Sequence, residues 1–245
     1  MYDRPWNRAY HQQVWALIRD ALRDHGVPAP ETLDQDHDPL TGWGRADIVL
    51  GQICNLPLRA AFRDRLTPIG TADHRLPGVP SGHYRSVFVV REDDQALSLA
   101  DCVTHRFALN DPMSQSGWGA ALATAQQIGV TLNPMLRTGA HRASMDAVTS
   151  GRADLAAIDI VTWLIDDDEG SATKGLRVIG ETVSSPGMTF VTSADADPEP
   201  FAHALSQAFA VLPPEHAEAL HLHGFVRSLP GAYDFALPEA PVFSA

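Results

Sequence analysis

Apolar and polar positions alternate along the chain in two patterns, one typical of amphipathic helices and one typical of buried strands. Trp15, Ile18 and Leu22 recur at spacings of three and four residues and predict a long first helix over residues 7–25, which Gly26 ends. The run YRSVFVVR at residues 84–91 is rich in β-branched residues and predicts a strand. Other short apolar runs predict strands at residues 47–51, 66–71, 106–110, 133–138, 155–160, 176–181 and 189–192. Further helices are predicted at residues 56–62, 114–128, 141–150, from 163 onward, 201–211 and 214–222.

The alternation of strands and helices predicts an α/β fold with largely parallel sheets. Two segments, residues 92–97 and 182–188, are candidate crossings between lobes. If both cross, residues 93–184 form one lobe, and residues 1–92 and 185–245 together form the other. Open α/β sheets bind ligands at the carboxyl ends of their strands, so this arrangement predicts a ligand cleft between the lobes.

Charge and composition narrow the classes of partner. The formal net charge is -12, which argues against nucleic acid and against anionic membrane surfaces. No apolar stretch approaches the roughly 20 residues that span a bilayer, and residues 1–15 contain no apolar segment of a secretory signal. The expected compartment is therefore the cytoplasm for the chain as written, and the periplasm if a leader has been removed. Cys54 and Cys102 are expected to be two separate buried thiols.

The segment FALNDPMSQSGWGAA at residues 107–121 carries the strongest chemical signal. A predicted strand leads into a small polar cluster and then into a helix. Ser114 and Ser116 fall where the first backbone N–H groups of that helix have no intrahelical partner. These N–H groups, the hydroxyls and the helix dipole can together bind an anion without a lysine. The alternative is a serine that only caps the helix.

Two further residues stand where a strand meets a helix. His141 begins a predicted helix, and its imidazole can donate a hydrogen bond to an oxyanion, although a lone histidine is more often a surface or capping residue. Asp159 ends an apolar strand, where a carboxylate requires a partner. Either it accepts from a ligand or it caps the following helix. Tyr84 stands at the entry of a predicted strand and is either a donor at a cleft wall or a packed aromatic residue.

These segments resemble the PhnD-like family, the phosphate/phosphite/phosphonate-binding components of ABC transporters. The similarity covers most of the chain and is most specific at S-x-S-G around Ser116, T-G-x-H-x-x-S around His141 and A-A-I-D at Asp159. The runs GQICNLPL at residues 51–58 and MYDRP at residues 1–5 also match. The resemblance implies a type II periplasmic-binding-protein fold, in which two lobes joined by a double crossover close around the ligand.

The resemblance also implies a function and a set of ligand-binding residues. The chain is expected to be a solute-binding protein that captures a small oxyanion-bearing ligand, such as a phosphonate, phosphite or phosphate-like anion, in the interlobe cleft for uptake through an ABC permease, and not an enzyme. In the family the head group lies on the serine-rich helix start, and a tyrosine and a histidine contribute; an acidic residue can select a ligand amine. The expected ligand-binding residues are Tyr2, Asp3, Gln52, Tyr84, Ser114, Gln115, Ser116, His141 and Asp159.

The sequence departs from the family pattern in its ligand-binding cluster and at its beginning. Gln115 replaces the middle hydroxyl residue of the serine cluster, and Met1 falls where the family's first strand has already begun. Both departures concern the identity of the ligand. No cofactor is predicted, and the late histidines His216, His221 and His223 lack the spacing of a metal site.

Two other functions remain open on the sequence alone. The first is a cytosolic enzyme that reuses the same two-lobed fold on a small carboxylate or phosphorylated metabolite, with His141 and Asp159 as the acid–base pair. The second is the effector domain of a transcriptional regulator, although the chain is acidic and contains no basic helix-turn-helix segment.

Overall fold

The computed structural model describes residues 2–36, 38–170 and 172–243. Met1, the first residue of the MYDRP run, lies outside the described residues. The helices are α1 Arg8–Asp24, α2 Pro39–Trp43, α3 Asn55–Ala61, α4 Ala120–Gln127, α5 His141–Thr149, α6 Ile160–Glu169, α7 Pro198–Ala210 and α8 Pro214–Leu220. The strands are β1 Gly51–Ile53, β2 Leu66–Asp73, β3 His83–Tyr84, β4 Ser86–Arg91, β5 Arg106–Leu109, β6 Asn133–Arg137, β7 Leu155–Asp159, β8 Leu176–Glu181, β9 Ser185–Pro186, β10 Thr189–Ser193 and β11 Gly224–Arg227.

The chain divides into two compact units. Among the described residues, the middle unit contains Tyr84–Ser185 and residues 236–243, and the terminal unit contains Tyr2–His83 and Pro186–Phe235. The chain passes between the units within β3 and within β9, two short strands that pair with each other.

The observed first division lies earlier than the expected one at residue 92. Strand β4, which was assigned to the terminal lobe, belongs to the middle unit because it is hydrogen-bonded there to β7 on one side and β8 on the other. The last residues were also assigned to the terminal lobe, yet they belong to the middle unit. Within that unit, the indole Nε1 of Trp118 donates to the carbonyl of Glu239 at 2.7 Å.

The middle unit is built on a sheet with strand order β6-β5-β7-β4-β8. Strands β6, β5 and β7 are parallel, whereas β4 runs antiparallel to both of its neighbours. Every residue of β7 is buried, as its uninterrupted apolar run predicts. Phe88, Phe107 and Leu109 form the core of this unit together with residues of α4. Because β5 and β6 are parallel neighbours, their carboxyl ends lie at the same edge of the sheet.

The terminal unit is built on a sheet with order β1-β10-β2-β11, in which all three pairings are antiparallel. The prediction of largely parallel sheets was therefore wrong for this unit. The predicted strand at residues 47–51 was also misplaced, because pairing with β10 begins only at Gly51. The apolar face of α1 packs against α7, with Trp15, Ile18 and Leu22 in one buried cluster with Phe201. Throughout the described ranges, no helix has both the length and the apolar character needed to cross a bilayer.

Candidate functional site

The turn after β5 begins a continuous helix, whose first turn is a π-helix over Gln115–Gly119. Ser114 caps it, with its Oγ accepting the backbone N–H of Gly117 at 3.0 Å. The N–H groups of Trp118 and Gly119 both donate to the carbonyl of Ser114, at 3.1 and 3.0 Å. The N–H group of Ser116 belongs to the first turn, where a helix supplies no acceptor. The helix start therefore presents hydroxyl and backbone donors together.

His141 is brought to this turn by the connection between β6 and α5. Backbone N–H groups of Thr138 and Gly139 donate to the carbonyls of Leu109 and Asn110, at 2.9 and 2.8 Å, which ties this connection to the end of β5. His141 is the first residue of α5 and is 3% exposed. The proximity of the serine turn and His141 therefore follows from two parallel strands that end together.

Four polar side chains meet at this point, and we refer to Asn110, Ser114, Ser116 and His141 as the serine–histidine cluster. Nε2 of His141 lies 2.8 Å from Oγ of Ser116 and 3.3 Å from Nδ2 of Asn110. The Oγ atoms of Ser114 and Ser116 are 3.4 Å apart. All four residues are buried. The sequence predicted three of these residues, and Asn110 was missed because its position after β5 reads as an ordinary strand end.

Gly117 is required by the cluster itself. A Cβ atom added to this residue would lie 1.8 Å from Oδ1 of Asn110 and 3.3 Å from Oγ of Ser114. The structure shows that it makes room for the Asn110 amide.

Asp159 and Ser86 lie opposite each other on β7 and β4, next to the cluster. Oγ of Ser86 donates to the carbonyl of Ser116 at 2.9 Å, which fixes the helix start to the sheet. Asp159 is fully buried, and its Oδ1 accepts the N–H of Thr162 at 2.9 Å as the N-cap of α6. Of the two roles predicted for Asp159, the structure shows the capping role.

The remaining predicted residues of the middle unit are Tyr84 and Gln115, and both are buried. Tyr84 is 1% exposed and lies in β3, where the chain enters this unit. The Gln115 side chain lies beside Gly119, since a Cβ added there would be 3.0 Å from Oε1 of Gln115. The amide that replaces a hydroxyl residue in the family pattern is therefore folded along its own helix.

The cationic side chains nearest the cluster along the chain are paired with carboxylates. Arg142, which follows His141, lies 3.7 Å from Asp166 and 3.2 Å from Glu169. Arg137 is ion-paired with Asp111. The acidic run at residues 166–169 forms the last turn of α6, and Asp166 is fully buried. The donors of the cluster are thus hydroxyl, amide, imidazole and backbone groups.

The other predicted residues, Tyr2, Asp3 and Gln52, lie in the terminal unit. Tyr2 is held through its carbonyl, which accepts from Nδ2 of Asn7 at 3.0 Å and lies 3.3 Å from Nε2 of His11. Asp3 is half-buried and lies 3.9 Å from Nε of Arg8. Gln52 is in β1, and its carbonyl accepts from the indole of Trp43 at 2.8 Å. Tyr2 and Asp3 are adjacent in the chain, whereas Gln52 is on a separate strand.

A second histidine of the terminal unit packs against Tyr2. The His74 and Tyr2 rings meet edge-to-face, with centroids 5.8 Å apart and an interplanar angle of 79°. Nδ1 of His74 is hydrogen-bonded to the carbonyl of His221. Burial lowers the pKa of His74 from 6.5 to about 4, and burial also lowers the pKa of His11. Both imidazoles that contact Tyr2 are therefore neutral at physiological pH.

Solved structures place this fold in the class of periplasmic binding proteins. PhnD1 of Prochlorococcus marinus in complex with methylphosphonate aligns with a TM-score of 0.70 at 18% identity, over 90% of this chain and 88% of that protein. A phosphonate transporter binding protein of Pseudomonas aeruginosa, PA3383, has a TM-score of 0.68 at 15% identity, over 95% of this chain and 80% of its own. XAC2383 of Xanthomonas citri bound to ATP has a TM-score of 0.66 at 17% identity, over 92% and 90%. At these identities the likeness establishes the fold.

The family follows from the sequence itself. Residues 44–233 match the model of the family described as ABC transporter, phosphonate, periplasmic substrate-binding protein. The chain belongs to this family, which confirms the resemblance and the type II fold expected from the sequence. The family is one of solute-binding transport components and not of enzymes, so the enzyme alternative is not supported. No curated protein sequence matches the chain.

Proposed function

We propose that this protein binds a small ligand through a phosphonate or phosphate-like head group, and that the serine–histidine cluster holds that head group. One observation carries the assignment to this site: Oγ of Ser116 lies 2.8 Å from Nε2 of His141, at the first turn of a helix capped by Ser114. Tetrahedral oxyanions accept several hydrogen bonds at once. A helix start supplies such donors together with the positive end of its dipole.

Neutral donors suit a protein with this charge. The net charge of -12 does not attract an anion, so affinity has to come from short-range hydrogen bonds. Ser114 uses its Oγ to accept from Gly117, and its own hydroxyl hydrogen can donate either to a ligand or to Oγ of Ser116, 3.4 Å away. Donors held in place by a helix cap and a strand end lose little freedom on binding, which favours affinity.

The other predicted residues complete the proposal. Gln115 and Tyr84 of the middle unit, and Tyr2, Asp3 and Gln52 of the terminal unit, are proposed to contact the rest of the ligand. Asp159 is proposed to act through the cap of α6, with direct recognition of a ligand amine as the second role. The protein is proposed to act in the periplasm and to deliver its ligand to an ABC permease, because its family is defined by that transport system.

A thermal-shift panel tests the proposed ligand class. Purified protein is heated with methylphosphonate, inorganic phosphate, phosphite and methanesulfonate, and the same panel is applied to Ser116→Ala. Binding to the folded state raises the unfolding temperature according to ligand concentration over Kd. We expect a rise with at least one phosphorus oxyanion that is strongly reduced in Ser116→Ala.

Ser150→Ala is the matched control, since Ser150 is an exposed serine of the same unit whose hydroxyl bonds only to its near neighbours in the chain, the carbonyl of Ala147 and Nε of Arg152. Its shifts should equal those of the wild type. If no phosphorus oxyanion stabilises the wild type, the proposed ligand class is wrong. If one does so equally in Ser116→Ala, the ligand class stands and the proposed site is wrong.

A further inference from the structure

Asn110 lies at the centre of the serine–histidine cluster, and it is not among the residues expected to bind ligand. It directly follows β5 and is 9% exposed. Its backbone carbonyl accepts from Gly139 at 2.8 Å, and its Nδ2 lies 3.3 Å from Nε2 of His141. The Asn110 amide thus contacts the same imidazole nitrogen that contacts Ser116.

The other end of this amide is buried without a partner. Among the residues that the structure describes, Oδ1 of Asn110 has no hydrogen bond. It lies against the backbone of Gly117, where a Cβ atom would be only 1.8 Å away. Most buried polar atoms in proteins are hydrogen-bonded, and leaving one unpaired costs free energy. Asn110 therefore places an unsatisfied acceptor inside the cluster.

The direction of the Ser116–His141 hydrogen bond matters for anion binding. A neutral imidazole nitrogen is either a donor or an acceptor. If Nε2 is an acceptor, Ser116 donates its hydroxyl hydrogen to His141 and not to a ligand. If Nε2 carries hydrogen, it donates to Oγ of Ser116, and the Ser116 hydroxyl hydrogen is free for an oxyanion.

An asparagine amide can pair with either form of the imidazole. In the orientation observed, Nδ2 faces Nε2 and favours the form in which Nε2 accepts. Rotation of the amide by half a turn brings Oδ1 to Nε2, where it shares the single Nε2 hydrogen with Oγ of Ser116, and places Nδ2 beside Gly117. Because Oδ1 has no partner among the described residues, this rotation sacrifices no hydrogen bond of that oxygen.

The geometry points to Asn110 as a positioning residue of the anion site, one that holds His141 and determines in which direction Ser116 donates. The effect of Asn110 on oxyanion affinity rests on the proposed function. Control of the His141 tautomer by Asn110 applies to the ligand-free protein as well.

The test compares Asn110→Asp and Asn110→Leu with the wild type. Nitrogen NMR of labelled histidine, assigned with His141→Gln, reports whether Nε2 carries hydrogen, and calorimetry gives the Kd for methylphosphonate. In the ligand-free wild type we expect Nε2 without hydrogen. In Asn110→Asp, which replaces the amide donor with an acceptor of the same shape, we expect Nε2 to carry hydrogen. Asn110→Leu removes the amide oxygen that can accept from Nε2 when Ser116 donates to an oxyanion, so it should bind methylphosphonate roughly three- to tenfold more weakly.

Asn133→Leu is the control, because Asn133 is a half-buried asparagine of β6 in the same unit and is not part of the cluster. It should change neither the His141 resonance nor the Kd. An unchanged His141 resonance in Asn110→Asp overturns the inference, and this arm needs no ligand and does not depend on the folding of Asn110→Leu. If the wild type binds no oxyanion, the proposed function is contradicted. If the His141 resonance nevertheless changes as expected in Asn110→Asp, the positioning of His141 by Asn110 is still supported.

Discussion

At the scale of single residues, the site contains contacts so close that a larger side chain at Gly117 would collide with its neighbours. Asn110, Gly117 and Ser114 are packed so closely that the amide oxygen of the first occupies the space of a Cβ on the second. Ser114 and Ser116 could be predicted because hydroxyl residues at a helix start have a known chemistry. Asn110 could not, since its role depends on His141, which is distant in sequence and is brought near only by the pairing of β5 with β6.

Gly117→Ala should therefore damage the site and the fold together. The new methyl group would lie 1.8 Å from Oδ1 of Asn110, so the amide has to move. We expect a loss of about 1–3 kcal/mol in unfolding free energy, as for other overpacked sites, and weaker binding of the ligand. Gly180→Ala is the control, because nothing lies within 4 Å of its Cβ position. Equal stability of Gly117→Ala and Gly180→Ala in urea unfolding would contradict this packing.

His74 should make stability depend on pH. Its pKa is about 4 in the folded protein, mainly because of burial, and is 6.5 without that burial. Between these values the unfolded chain binds a proton that the folded chain does not, so stability is lost as the pH falls from about 6.5 to about 4. The loss should be about 3 kcal/mol.

The measurement for His74 is urea unfolding at a series of pH values in the wild type and in His74→Asn. Asparagine can still donate to the carbonyl of His221 but does not titrate. The wild type should lose more stability than the variant over this range, and the exposed His25→Asn should behave like the wild type. Parallel pH curves for the wild type and His74→Asn would refute the assignment.

At the scale of elements, boundaries depended on caps and pairings that periodicity does not reveal. Helix α6 begins at Ile160, before the predicted start at residue 163, because Asp159 caps it. It also includes the acidic run, which Arg142 helps to neutralise. Strands that coincide with apolar runs, such as β4 and β7, were predicted well. Strand β11 was not predicted, because its short sequence GFVR becomes a strand only by pairing with β2.

The cap of α6 can be separated from any contact of Asp159 with ligand. Asp159→Ala removes the acceptor for the Thr162 N–H and should cost about 1 kcal/mol or more of stability. Asp159→Asn keeps a carbonyl oxygen in that place and should lose less. Both stabilities are measured by denaturant unfolding. Equal losses in the two variants would show that the charge of Asp159, and not its capping oxygen, is what the fold requires.

At the scale of the whole molecule, the order of the two units could be predicted but their sheets could not. The discontinuous terminal unit follows from two crossings, and the second was expected close to Ser185, where it is observed. The antiparallel terminal sheet was missed, because alternation of strands and helices does not distinguish a parallel sheet from one completed by distant segments such as β10 and β11. Membership of the phosphonate-binding family, by contrast, was evident from motifs that survive in the chain.

The most direct test of the central claim is a crystal structure with the phosphorus oxyanion that stabilises the protein most in the thermal-shift panel. The claim predicts that the oxyanion lies at the first turn of the helix that begins after Ser114. Its oxygen atoms should lie within hydrogen-bonding distance, about 2.6–3.2 Å, of Oγ of Ser114 and Oγ of Ser116. A ligand bound elsewhere, with the serine–histidine cluster unchanged, would contradict it.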